Sequence, residues 1–192
     1  RGTVGVAVID AAGQPLAARN ATTPLIPASV TKLVTAAAAL RVLGPDHRFV
    51  TRVIATRPPD DDGVVDGDLV LVGGGDPVLA TPRFIRRVNS ERPATAMRDL
   101  ARRVAAAGVT RVTGRVLGDP SVLADEPLAP GWGANYLSSL DTSRSSGLTV
   151  DAGLRLFRRS GTLHAEAAAD PAVRAASAVR ALLVHRLEQW MG

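Results

Sequence analysis

Ser29 and Lys32, in the stretch "PASVTKLVTAAAAL" (27–40), are the residues whose types and spacing could do chemistry. Lys32 is the only lysine among the 23 Lys and Arg residues. A spacing of three places both side chains on one face of a helix, about one turn apart. That arrangement suits a nucleophile and its base. A serine hydroxyl is a poor nucleophile at neutral pH until its proton is taken, and only a neutral amine can take it. Burial and the positive end of a helix dipole both favour the neutral amine. The same dipole favours negative charge developing on Ser29 Oγ. Arginine cannot stand in, because its guanidinium does not deprotonate in proteins. A chain that otherwise uses arginine for positive charge therefore has a chemical reason to keep one lysine here. The competing interpretation makes Ser29 a helix cap and Lys32 a solvated charge.

The elements around this pair can be read from periodicity and turn signals. Residues 3–9 form a strand pattern, 10–15 a turn and 16–21 a returning strand of a hairpin. Ser29 then stands as the N-cap or first-turn residue of a helix. Val30, Leu33, Val34, Ala37 and Leu40 follow helical spacing and predict a buried face. Gly44-Pro45 ends the helix. Strands are expected over 49–57 and 68–72, a helix over 94–107 stopping at Gly108, and strand character over 109–119. Two stretches echo each other, "VGGGDPVLA" (72–80) and "RVLGDPSVLA" (115–124). Each runs a strand into Gly-Asp-Pro, which predicts one turn geometry used twice. The Ser- and Gly-rich stretch 130–150 reads as loop. Asp170-Pro171 opens a last helix, Asp as cap and Pro at its first position.

Length and composition narrow the class. A chain of 192 residues allows one domain, or one domain with an insertion. Hydrophobic residues make up 46% and aromatics 3%, so the core must be built from Ala, Val and Leu. Cysteine is absent, which excludes disulfides and thiolate metal sites. No apolar run reaches the roughly 18 residues of a membrane span. The net charge of +5 is spread without a basic block or interleaved aromatics, so no nucleic-acid partner is expected. Gly73-Gly74-Gly75 is not followed by Gly-Lys-Ser/Thr, and Asp76 would repel phosphate, so a turn is expected. Asp60-Asp61-Asp62 lacks the alternating ligands of a calcium loop. His47, His164 and His185 have no partner at zinc spacing. No metal or cofactor is expected. The stretch 138–146 is expected to be a polar loop. Trp132 and Tyr136 either line a groove or anchor a loop on the core.

S-x-x-K opening a helix after an N-terminal hairpin resembles the penicillin-binding proteins and serine β-lactamases. "GDLVLVGGGDPVL" (67–79), "LARRVAAAGVTRVTGRVLGDPSVL" (100–123) and "LAPGW" (128–132) narrow the resemblance to the penicillin-binding D-alanyl-D-alanine carboxypeptidase/endopeptidase family. The resemblance implies an α+β fold: a β-lactamase/transpeptidase-like antiparallel sheet with flanking helices and a large insertion after the S-x-x-K helix. It implies 1–48 as the first part of that domain, 49–150 as insertion and 151–192 as a return to the domain. It further implies Ser29 as the acylated nucleophile, Lys32 as general base and the Ser29 N–H as an oxyanion donor. The activity implied is cleavage of peptidoglycan stem peptides in the cell envelope, with β-lactams as covalent inhibitors. The family's Ser-x-Asn and Lys-Thr-Gly are missing. Asn20, Asn89 and Asn135 follow Ala18, Arg87 and Gly133 at minus two, and Lys32 precedes Leu33. The chain is therefore expected to be incomplete at its C-terminus and inactive, or nearly so, alone. A non-catalytic peptidoglycan-binding envelope module is the alternative, and an esterase or β-lactamase sharing S-x-x-K a third.

Overall fold

The computed structural model describes residues 2–88, 91, 93–138 and 142–190, the last six of these as backbone. They divide into two compact units, Arg1–Arg48 and Phe49–Gly192.

In the first unit, β1 (Val6–Ile9) pairs antiparallel with β2 (Pro15–Arg19). Asp10 closes the turn, its Oδ1 accepting the Ala12 and Gln14 N–H groups at 2.9 and 2.8 Å. A 3-10 turn at Ala28–Val30 then leads into α1 (Thr31–Leu43). Gly44 ends α1 with φ 82°, a left-handed value that glycine adopts without steric cost. The buried face expected on α1 is not found within this unit. Every described residue of the unit is exposed except Gly44, which is half-buried. Leu33 and Val34, for example, are 71% and 69% exposed.

The second unit is built on a three-stranded sheet in which β5 (Leu69–Val72) lies between β3 (Arg52–Ala55) and β9 (Val116–Asp119). β3 (Arg52–Ala55) runs antiparallel to β5, and β4 (Val64–Val65) precedes β5 (Leu69–Val72). An excursion follows through β6 (Leu79–Ala80), α2 (Pro82–Val88) and β7 (Thr95–Ala96), in which β6 and β7 pair in parallel. α3 (Met97–Ala106) then crosses over, β8 (Arg111–Val112) pairs with β4, and β9 (Val116–Asp119) returns parallel to β5. After a short α4 (Asn135–Ser138), the chain makes a hairpin of β10 (Leu154–Arg159) and β11 (Thr162–Ala167). It finishes with α5 (Pro171–Trp190). The hairpin, α2 and the two-residue strands β4, β6 and β7 go beyond the sequence expectations, while β8 and β9 fall within the strand character expected over 109–119. The helix ends at 97 and 106 and the strand at 69–72 fall within them.

Leu69 and Leu71 lie on one face of β5 and are 1% and 0% exposed. They join Met97 and Ala101 of α3 and Ala175, Val179 and Leu183 of α5 in a single core. The small side chains let α5 come close: a Cβ on Gly118 would run into the Ala172 carbonyl oxygen. The repeated Gly-Asp-Pro makes the same turn twice. Asp76 Oδ1 accepts the Val78 N–H and Asp119 Oδ1 accepts the Ser121 N–H, both at 2.9 Å. Hydrogen bonds from Ser121 hold the Asp119 carboxyl below its ordinary pKa. Asp170 accepts the Val173 N–H at 2.9 Å, so Asp-Pro caps α5 as its sequence predicts.

Candidate active site

Pro27 enters the 3-10 turn with φ −75°, and Val30 N–H bonds back to the Pro27 carbonyl at 3.0 Å. Ala28 between them has φ 46°, a left-handed conformation that costs a non-glycine residue about 1 kcal/mol or more. No sequence signal marks it. The next residue is Ser29. The N-cap of α1 is Val30, with no side-chain capping bond. Ser29 therefore sits one residue earlier than the cap position, and its hydroxyl is not committed to a backbone N–H.

The hydroxyl bonds to Lys32 instead, with Nζ 3.1 Å from Oγ. The spacing of three thus brings the two groups together as helical geometry requires. As an ammonium, Nζ donates to Oγ. As a neutral amine at the same separation, it is placed to accept the Ser29 proton. Thr31 N–H is taken up by the carbonyls of Ala28 and Ser29, whereas Ser29 N–H, in the first turn, has no intrahelical acceptor. It is free to meet a developing oxyanion. The burial expected around the pair is not supplied within this unit, where both side chains are exposed. The helix N-terminus remains as the local source of positive potential.

The other candidates have structural uses. Gly73 and Gly75 donate their N–H groups to the carbonyls of Asp119 and Gly147, at 2.8 and 2.9 Å, so these donors are not available to a phosphate. Asp60 Oδ1 accepts the Asp62 and Val64 N–H groups at 3.1 and 2.7 Å and closes its own loop. His164 stacks on Phe157 across the hairpin, centroids 5.5 Å apart. Trp132 and Tyr136 pack on each other at 5.1 Å and stay half exposed. Within 138–146, residues 139–141 lie outside the described residues, and 142–146 carry no regular structure. A cluster that the sequence did not reveal is Asp151 with Thr81 and Arg174, residues too far apart in the chain to signal each other. Among the described residues no helix is long and apolar enough to cross a membrane.

A model of the family described as D-Ala-D-Ala carboxypeptidase 3 (S13) matches residues 1–182. The D-alanyl-D-alanine carboxypeptidase of an Actinomadura species is 40% identical over 152 residues, covering 79% of this chain and 26% of that protein. Carboxypeptidase DacB of Mycolicibacterium smegmatis is 34% identical over 172 residues, covering 89% of this chain and 35% of that protein. The crystal structure of penicillin binding protein 4 (dacB) from Haemophilus influenzae shares the fold, with a TM-score of 0.60 at 23% identity. That likeness covers 82% of this chain and 33% of that one. The chain thus corresponds to the N-terminal part of its relatives and spans a quarter to a third of their length.

Proposed function

The chain belongs to the D-Ala-D-Ala carboxypeptidase 3 (S13) family, and from that premise we propose that it carries the acylation machinery of a serine D-Ala-D-Ala carboxypeptidase. Ser29 Oγ attacks the carbonyl carbon of the bond between the two terminal D-alanines, and its proton passes to a neutral Lys32 Nζ. The Ser29 N–H steadies the oxyanion. Collapse of the tetrahedral adduct breaks the C–N bond, and the protonated Lys32 returns the proton to the departing D-alanine. Water then attacks the ester, giving its proton to Lys32, and the acid product leaves as Oγ regains a proton. A β-lactam offers the same kind of amide carbonyl to Oγ and leaves its acyl group there. The observation that carries this proposal is the 3.1 Å approach of Nζ to an uncommitted Oγ at a helix start.

The proposed substrate is the stem peptide of peptidoglycan, which places the protein's work outside the cytoplasm. Endopeptidase action on cross-links follows from the same chemistry. Arg1–Arg48 is assigned to the transpeptidase-like domain and the insertion to the residues from 49 onward. The 192 residues contain neither Ser-x-Asn nor Lys-Thr-Gly, so the isolated chain is expected to turn over D-Ala-D-Ala peptides slowly or not at all.

Labelling of the full-length protein with a fluorescent penicillin tests the proposal. Ser29→Ala is expected to abolish the adduct. Lys32→Arg keeps the charge but cannot accept a proton, and is expected to slow acylation by about 10²–10⁴-fold with the fold unchanged. Normal labelling of Lys32→Arg would remove Lys32 from the role of base. Retention on cell-wall sacculi with no Ser29-dependent adduct would favour the non-catalytic binding module.

A further inference from the structure

We propose that the second unit holds a pocket for a small aliphatic carboxylate, between the inner face of β3 and α3. Side chains alternate between the two faces of a strand, so Thr51, Val53 and Ala55 share one face. The register pairs Val53 with Leu71 and Ala55 with Leu69, which makes this the face that carries the core. On the other side, Leu100, Arg103, Val104 and Ala107 recur at spacings of three and four and form one stripe of α3 and its C-terminal end. A cavity of about 290 Å³ lies between the two faces. Leu69, 1% exposed, is among its walls, whereas Val53 and Ala55 are only half-buried. Ala55 and Ala107 stand where longer side chains would fill the space.

Two polar side chains line this otherwise apolar cavity, the Thr51 hydroxyl and the Arg103 guanidinium. Among the described residues neither takes a hydrogen bond or an ion pair. Asp99, one turn before Arg103, pairs with Arg98 and Arg102 instead, at 3.8 and 2.9 Å. No acidic side chain lines the cavity. Arg103 is exposed, so its charge stands at the mouth, with buried Leu69 beneath. A guanidinium donates two parallel N–H bonds to a carboxylate, and the Thr51 hydroxyl offers a further donor. The space holds about ten groups of the size of a water or a methylene, enough for a carboxylate and a short hydrocarbon body. An esterified chain lacks the charge that Arg103 recognises, so the ligand is the free acid. The lining residues all lie between 51 and 109, and none belongs to the Ser29–Lys32 pair.

The test titrates octanoate, its methyl ester and octylamine separately into the 192-residue chain and reads the side-chain methyl groups by NMR. Octanoate is expected to give saturable shifts at Val53, Ala55, Val104 and Ala107, at least about tenfold tighter than the ester. Octylamine is expected to give none. Arg103→Gln removes the charge from an exposed position and is expected to erase the advantage of octanoate over the ester. Ala107→Leu, at the exposed end of α3, occupies the space and is expected to weaken both ligands at least about tenfold. Equal affinity for acid and ester in the wild-type chain overturns the proposal. So do shifts that never saturate, and binding that survives Ala107→Leu unchanged. The octanoate titration is repeated on the full-length protein, where loss of binding would also overturn it. The readout does not involve Ser29, so it stands or falls apart from penicillin labelling.

Discussion

Asp151 is 1% exposed and sits at φ 56°, yet it accepts three hydrogen bonds. The Thr81 N–H and Oγ–H reach it at 2.7 and 3.0 Å and Arg174 Nη2 at 2.9 Å, while Thr81 Oγ itself accepts the Phe84 N–H at the start of α2. The group thus ties the first turn of α2 to α5. Burial pushes the Asp151 carboxyl above its ordinary pKa of 3.8, against the opposing pull of the Thr81 bonds and of the Arg174 and Arg83 charges. In the window above 3.8 the unfolded chain has lost this proton and the folded chain still holds it. The folded state then binds more protons, so its stability falls as pH rises through that window. Asp151→Asn cannot ionise and tolerates the left-handed backbone, but turns an amide donor toward Arg174 or Thr81. It is expected to cost about 1–3 kcal/mol. The difference in urea stability between wild type and variant should be widest at the acid end and narrow toward neutral pH. A difference that grows with pH would mean that the Arg174 and Thr81 contacts outweigh burial.

At the scale of elements, what could be read from the sequence was local. The spacing of Val30, Leu33 and Val34 is a property of neighbouring residues and gave α1, and Asp170-Pro171 gave the start of α5. Asp76-Pro77 and Asp119-Pro120 gave two matching turns. The Ser29–Lys32 approach was legible for the same reason, being set by one helical turn. Burial was not legible, because it depends on what covers a face; Leu33 has the helical spacing of a core residue and is 71% exposed. The parallel pairs β4–β8 and β6–β7 are two residues long, too short for a period of two to appear. The hairpin β10–β11 turns at Ser160-Gly161, φ 49° and 81°, where the glycine was its one signal. Close approach of elements was also hidden. Gly118 reads as one more glycine in a Gly-Asp-Pro turn, but its missing Cβ is what lets Ala172 of α5 lie against β9. Gly118→Ala is accordingly expected to cost about 1–3 kcal/mol, because the obstacle is backbone that cannot rotate away. Urea unfolding gives the size. Faster exchange of the α5 amides nearest Ala172 would locate the loss there, and an unchanged midpoint would show that the helix can withdraw without penalty.

At the scale of the whole molecule, every buried apolar side chain among the described residues lies between Val65 and Leu183. The first unit contributes none. The second unit draws its core from both of its ends: Leu69 and Leu71 meet Ala175, Val179 and Leu183 across more than a hundred residues of chain. Residues 49–192 are therefore expected to fold on their own with a single cooperative urea transition. Stopping the same segment at Val150 removes Ala172, Ala175, Ala178, Val179 and Leu183 from the core. Each larger apolar side chain is worth about 1.5–3 kcal/mol on burial, and a domain is stable by only about 5–15 kcal/mol. The loss is of the same order as the whole stability, so 49–150 should show no cooperative transition and little protected amide. If 49–150 instead folds cooperatively, the boundary drawn at 150 from the sequence is real, and 151–192 belongs with the domain that carries Ser29. If it does not, the insertion that follows the S-x-x-K helix runs at least through α5.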